Sequence, residues 1–244
     1  MQTMKRIPLS VLVGAAGAMA CILGCASMSD SSTKAGDLGR GRFKYACVSE
    51  FGDDSACAQG SQETYVFPTS IAVGGSFKLG YEANSDTQQQ IGNPVLKPAA
   101  NDYLADPAPG LFLAKKPGRV AVVARSSSNG KAADFTYLRI AEPTELKLLT
   151  DTKGAQPSLK VTMHIGDKPL SLRAEAYSGG PGNVKDRLAG TIEFSWTSSS
   201  EAVVKLVGRS PASRMQFQPV AAGTAKIEAK LADKTVSVEI EVLP

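Results

Sequence analysis

Across residues 43–244, short apolar stretches alternate with Gly, Pro, Asn and Ser punctuation, and no helical period is sustained. That pattern predicts a nearly all-β chain. Apolar residues recur at every second position in Val120, Val122 and Ala124, in Ile192, Phe194 and Trp196, and in Val236, Val238, Ile240 and Val242. Each set is expected to line one face of a strand, because successive strand side chains point to opposite sides of a sheet. Asn129-Gly130 separates residues 120–125 from 135–140, and Ala232-Asp233 separates 225–231 from 235–242, so both pairs are predicted hairpins. The longest stretches without a regular pattern are 86–109 and 178–188, and exposed loops of this kind are where binding function usually resides.

The same pattern occurs twice. Phe112, Gly118, Val120, Val122 and Ala124 return with identical spacing as Phe217, Gly223, Ala225, Ile227 and Ala229. Upstream, Ile71-Ala72-Val73-Gly74 before Phe77 and Leu79 corresponds to Met163-His164-Ile165-Gly166 before Leu170 and Leu172. Two copies of one module follow, with a boundary near Glu142-Pro143 and a length of about 100 residues each, the size of an immunoglobulin-like sandwich. Gly118 and Gly223 each precede a strand, where a turn with positive φ calls for glycine. Trp196, the lone tryptophan, is expected to fill the space between two sheets rather than to stack on a ligand.

The chain begins differently. Lys5 and Arg6 precede an apolar run at 7–24 of 18 residues, interrupted by Pro8 and three glycines, and then Cys25. A charged flank, an apolar region and a small-residue exit read as an export signal. The run is at the lower limit for spanning roughly 30 Å of hydrocarbon, which disfavours a permanent membrane span. Ile22-Leu23-Gly24-Cys25 resembles the bacterial lipobox, which implies cleavage after residue 24 and acylation of Cys25. Cys21 is a weaker competing site, since no branched aliphatic residue lies three positions upstream. Stable anchoring needs more than one acyl chain, and lipoproteins resembling this one carry two or three. Residues 26–42 are rich in Ser, Gly, Lys and Asp and are expected to form a flexible tether spanning about 23 Å root-mean-square.

Cys47 and Cys57 lie in a polar, turn-rich segment, without CxxC spacing and without a nearby histidine. They are expected to form a disulfide, which suits an exported protein; closing a loop of about 11 residues would stabilise the fold by roughly 3 kcal/mol. Metal binding at the pair is the lesser reading.

The second copy resembles the bacterial immunoglobulin-like domains of the group 2 type found in intimin-like adhesins. The likeness rests on Pro143-Thr144-Glu145-Leu146, Met163-His164-Ile165-Gly166, Phe194-Ser195-Trp196-Thr197-Ser198-Ser199-Ser200 with Ala202-Val203-Val204, Gly223-Thr224-Ala225-Lys226-Ile227, and Val238-Glu239-Ile240-Glu241-Val242. It covers residues 143–244 well and 43–142 more loosely, the first copy carrying a Gln- and Pro-rich stretch where the second has its Trp-Ser-Ser segment. The expected organisation is a signal at 1–24, a lipidated Cys25 with its tether at 25–42, a divergent immunoglobulin-like sandwich at 43–142 and a group 2 type domain at 143–244.

Chemistry adds little to this picture. The single histidine, His164, has no GxSxG elbow and no serine or acid fixed to it by a motif, so a surface position is expected and no catalytic residue is assigned. The run Ser178-Gly179-Gly180-Pro181-Gly182-Asn183 lacks the Gly-Lys-Ser/Thr ending of a phosphate loop. Asp53-Asp54 lacks the spacing of a calcium loop, so neither a metal nor a cofactor is expected. Loss of Lys5 and Arg6 with the signal leaves the mature chain nearly neutral, and its basic residues are interleaved with acidic ones, which argues against nucleic acid.

The expected function is a non-enzymatic envelope lipoprotein, held to the membrane through Cys25, whose modules bind or adhere to a protein or polysaccharide partner. A periplasm-facing accessory or scaffold subunit is the alternative, and a carbohydrate-binding module ranks third. The residue after Cys25 is Ala26, not the aspartate that retains enteric lipoproteins in the inner membrane, which favours the outer membrane.

Overall fold

The computed structural model describes residues 33–46, 54, 56, 67–150, 156–179 and 185–244. Cys25, Cys47 and Cys57, and with them the expected signal, lipidation site and disulfide, lie outside the described residues.

The first module is built from β1 (Thr33–Ala35), β2 (Gly41–Ala46), β3 (Ser70–Ala72), β4 (Ser76–Ala83), α1 (Ser85–Ile91), β5 (Pro94–Pro98), β6 (Leu104–Ala108), β7 (Leu111–Ala114), β8 (Gly118–Ser126) and β9 (Ala132–Ala141). One sheet runs β1-β2-β4-β7-β6 and the other β3-β9-β8-β5, with β3 parallel to β9. The second module comprises β10 (Glu145–Thr150), β11 (Lys160–His164), β12 (Leu170–Gly179), β13 (Lys185–Arg187), β14 (Ser195–Ser198), β15 (Val204–Val207), β16 (Arg214–Pro219), β17 (Gly223–Leu231) and β18 (Lys234–Leu243). Its sheets run β10-β12-β16-β15, with β13 added on β12, and β11-β18-β17-β14, with β11 parallel to β18.

Strand for strand the two orders coincide, β2-β4-β7-β6 matching β10-β12-β16-β15 and β3-β9-β8-β5 matching β11-β18-β17-β14. Four strands facing a sheet that carries the last two strands of the module is the immunoglobulin arrangement. The chain is thus all-β, with two tandem immunoglobulin-like sandwiches.

The repeated residues do the same work in both copies. Phe112 and Phe217 are fully buried between their sheets, each contributing roughly 1.5–3 kcal/mol of hydrophobic stabilisation. Just beyond, the Tyr103 carbonyl accepts from the Lys115 and Lys116 N–H groups, as the Val203 carbonyl does from Val220 and Ala221. Gly118 and Gly223 follow, both at φ 145°, where a Cβ would lie 2.6 Å from the Tyr103 ring or 3.0 Å from Val203. Glycine is required twice over, by the dihedral and by the space. Both hairpins form as expected, β8 with β9 and β17 with β18.

Trp196 is 3 % exposed on β14, its Nε1 donating to the Ala212 carbonyl at 2.7 Å and its ring centroid 5.6 Å from that of Phe217. It fills the intersheet space, as its alternation with Ile192 and Phe194 predicts. In the first module Leu96 takes the equivalent place, paired with Ala124 as Trp196 is with Ala229.

Two expectations need correction. Residues 33–42 of the predicted tether are structured: β1 pairs with β2, and the turn between them is held by Asp134, whose carboxylate accepts from the N–H groups of Leu38 and Arg40 at 2.9 Å each. A polar composition reads as a tether only until a buried acid elsewhere in the chain supplies partners for its backbone. Residues 86–109 are not irregular either, since they contain most of α1 and all of β5 and β6. The helix has Asp86 in its first turn and stops at Gly92 (φ 63°), too short to show a helical period. The first copy, expected as a divergent immunoglobulin-like sandwich, shares the complete strand order of the second although its residues match the family pattern only loosely.

Leu231 pairs with Lys234, so Ala232-Asp233 is a two-residue turn, and Ala232 is held at φ 52°. This left-handed conformation disfavours a side chain. Ala232→Gly is expected to raise stability by about 0.5–1 kcal/mol after allowing for the added freedom of the unfolded chain, seen as a higher Tm in calorimetry.

Candidate functional site

Only Glu142, Pro143 and Thr144 separate β9 from β10, so the modules meet closely. Pro143 continues no ladder, yet the chain beyond it returns to the first module at residues 189–191. Ala189 N–H donates to the Ser70 carbonyl at 3.0 Å and Ala72 N–H donates to the Ala189 carbonyl at 2.9 Å. Ser76 and Thr191 exchange both of their backbone bonds, at 3.1 and 2.7 Å. This contact depends on two glycines. A Cβ at Gly190, which has φ 98°, would lie 3.1 Å from the Gly75 Cα, and one at Gly75 would lie 3.0 Å from the Ala72 carbonyl oxygen. The cores interlock as well, Ala189 packing into the first core and Ala72 and Ala141 into the second.

A buried acid secures the joint. Asp54 is fully buried and accepts from the Tyr45 hydroxyl at 2.6 Å, the Ala56 N–H at 2.9 Å and, across the joint, the Gly190 N–H at 3.0 Å. Burial pushes its carboxyl above the usual carboxylate range, against the lowering by those three hydrogen bonds and by the Arg187 guanidinium. Burial also drives the Tyr45 hydroxyl well above its ordinary value, with the Asp54 charge adding to the effect. Arg187 lies 3.6 Å from Glu175, which pairs with Arg173 at 2.8 Å. At the rim, Arg139 donates to the Gly179 carbonyl at 2.7 Å and meets Asp186 at 3.2 Å, tying β9 to the second module.

Because the folded state raises its pKa, Asp54 contributes stability that is complete below about pH 4 and is lost as pH rises through the raised value. Asp54→Asn keeps the acceptor for Ala56 and Gly190 without the charge. The stability of the parent relative to this variant is expected to increase as pH is lowered from neutral towards the carboxylate range. A pH series of denaturant titrations checks this, and a flat difference would refute it.

Beside the joint lies an open groove of about 770 Å³, built from both modules. Lys34, Arg119, Tyr137 and Arg139 line it from the first, Thr144 and Ser178 from the second. The Arg119 guanidinium sits 4.0 Å from the Tyr137 ring centroid, and the Lys34 ammonium donates to the Tyr137 carbonyl at 3.1 Å. The Ser178 hydroxyl, in a residue only 3 % exposed, has no hydrogen-bond partner among the described residues.

Residues singled out in the sequence are dispersed. His164 ends β11 with an exposed side chain, its Nδ1 3.8 Å from Asp167, whose carboxylate accepts the His164 backbone N–H at 2.7 Å; this is a surface turn. Asp54 is spent on the joint, Asp53 lies outside the described residues, and so do Gly180, Pro181, Gly182 and Asn183. Among the described residues, no group of three or more His, Cys, Asp or Glu side chains is placed to hold a metal. Sequence reading missed Gly75, Gly190, Arg119, Tyr137 and the joint role of Asp54. The Gly74-Gly75 pair after a predicted strand was the one available signal of a close backbone approach.

No protein-family model and no curated protein matches the chain. Among solved structures it is similar to domains 4 and 5 of the S-layer protein SbsC, at 14% identity and a TM-score of 0.28, covering 72% of this chain and 93% of that one. It is similar to the D0-D1 domain of Intimin at 13% identity and a TM-score of 0.24, covering 71% and 92%. The adhesin InvE of Yersinia pseudotuberculosis is similar at 13% identity and a TM-score of 0.30 over 72% of this chain, which spans 57% of that adhesin. The fold assignment stands on the strand order described above.

Proposed function

We propose that this chain is a lipid-anchored protein of the bacterial envelope whose two immunoglobulin-like modules act together as one non-enzymatic binding or adhesive unit. The observation that carries this reading is the joint: backbone hydrogen bonds, a glycine-to-glycine contact and buried Asp54 combine two sandwiches into one body with a shared groove. A surface assembled from two modules binds without first ordering them, which lowers the entropic cost of association. The signal-like start and Ile22-Leu23-Gly24-Cys25 support anchoring through Cys25, and Ala26 favours the outer membrane.

Growth with an alkyne-tagged palmitate tests the anchor: the label is expected on the parent protein and absent from Cys25→Ser. Protease treatment of intact cells tests the display. Digestion of residues 33–244 without permeabilisation supports adhesion at the surface, whereas protection until the outer membrane is opened would make the protein a periplasm-facing scaffold subunit. Failure of Cys25 to carry label would end the lipoprotein reading.

A further inference from the structure

The outer face of the β3-β9-β8-β5 sheet differs from its counterpart in the second module in a way the fold does not demand. Ala121 on β8 pairs with Tyr137 on β9, and Arg119 pairs with Arg139. At the matching places on β18 the second module carries Glu239 and Glu241, which are closed into ion pairs: Lys160 lies 2.8 Å from Glu241 and 4.0 Å from Glu239, and next to them Lys226 lies 2.6 Å from Glu228. The same scaffold positions thus hold a neutralised charge ladder in one module and an aromatic and cationic surface in the other.

On that surface Tyr137 is 39 % exposed, packed edge-on against Phe135 with ring centroids 5.6 Å apart and covered on one side by Arg119. Arg119 has no acidic partner among the described residues. Lys34 reaches the same place from β1, while Arg139 is committed to Gly179 and Asp186 and belongs to the joint. Glu142 is the single acid among the described residues lining the groove, against three cations. Ser178 and Gly179 close the far wall, the Ser178 hydroxyl being buried on the inner face of β12 and out of reach of the groove.

The edge of β9 is not open to an added strand. Its Phe135 carbonyl accepts from the Asp37 N–H at 2.8 Å, its Tyr137 carbonyl accepts from Lys34, and Arg139, Ile140 and Ala141 are paired with β3. Recognition by backbone ladder, the commonest way a sheet takes an extended peptide, is therefore closed. What remains is side-chain chemistry: a guanidinium-aromatic platform and an ammonium around a groove of ligand size. That combination suits a ring carrying hydroxyl and carboxylate groups.

We propose that the groove between the modules, with Arg119, Tyr137 and Lys34, binds a carboxylate-bearing polysaccharide. Arg119 and Lys34 meet the carboxylates, and Tyr137 packs against a sugar ring. This inference rests on the reading of the modules as a binding unit, and it concerns the purified protein, so its failure leaves the cellular tests of anchoring and display standing.

Isothermal titration calorimetry on the purified full chain provides the test, with oligogalacturonate, oligoalginate and a hyaluronate oligomer as probes, a fully methyl-esterified oligogalacturonate as the uncharged match and oligoglutamate as the acidic peptide. At least one uronate oligomer is expected to bind and to weaken in high salt. Arg119→Ala and Tyr137→Ala should each reduce affinity about tenfold, the order expected for losing a charge-assisted bond or a ring contact. Arg119→Lys, which keeps the charge without the planar stack, should fall between, and Lys226→Ala on the second module should leave binding unchanged. An unaltered Tm in Arg119→Ala certifies folding. The proposal is overturned by absence of binding to all three uronates, by equal binding of the methyl ester or oligoglutamate, or by a Lys226→Ala loss as large as that of Arg119→Ala.

Discussion

Trp196→Ala is expected to destabilise the second module by about 3–5 kcal/mol, the range for emptying a large aromatic site in a packed core. The ring lies between β14 and the opposite sheet, against Phe217, among buried neighbours that include Met215 and Ala229. These come from both sheets, so the space cannot close without shifting strands held in register. Loss of the indole donor adds little, because the Ala212 carbonyl also accepts the Phe194 N–H at 3.2 Å. The cavity therefore dominates. Against a domain stability of roughly 5–15 kcal/mol, the loss is large enough to melt the second module well before the first. Calorimetry of the full chain should resolve an early transition in the variant, and Trp196→Phe should recover much of the difference. A loss below about 1 kcal/mol would mean that the intersheet space repacks freely, contrary to the tight packing of protein interiors.

Gly190→Val is expected to open the joint, disturbing each core only where Ala72, Ala141 and Ala189 cross it. Two costs coincide at this position: a β-branched residue at φ 98°, and a Cβ forced to 3.1 Å from the Gly75 backbone. Strained backbone and overpacking together amount to about 2–5 kcal/mol, and they fall on the contact between modules. The Gly190 N–H then leaves Asp54, which is left buried with fewer partners. The expected result is two independent melting transitions where the parent shows coupling, faster proteolysis near Pro143, and a larger radius of gyration in small-angle scattering. Gly179→Ala is the matched control, since its Cβ would meet nothing within 4 Å. Unchanged coupling in Gly190→Val would show that the backbone bonds at Ala189 and Thr191 hold the modules without the close approach.

How far the chain could be read in advance differs element by element. The alternation of Val120, Val122 and Ala124 and of Val238, Ile240 and Val242 identified inward faces, because strand periodicity is local and burial selects it directly. The spacing from Phe112 to Gly118, repeated from Phe217 to Gly223, located the same turn twice, since only glycine accommodates φ 145° against Tyr103 or Val203. Helix α1 was hidden by its brevity. Strand β1 was hidden by its polarity, its order depending on Asp134, nearly a hundred residues away.

Local pattern and the internal repeat were enough for the all-β class, the two modules, the burial of Trp196 and the surface position of His164, all of which follow from patterns a few residues long or from a repeat. Long-range packing brought Asp54 to Gly190 across 136 positions, put Gly75 against Gly190, and gathered Arg119, Tyr137 and Lys34 around one groove. These contacts join residues with no shared period or motif. They exist because folding closes long loops, and loop closure leaves no local mark on composition.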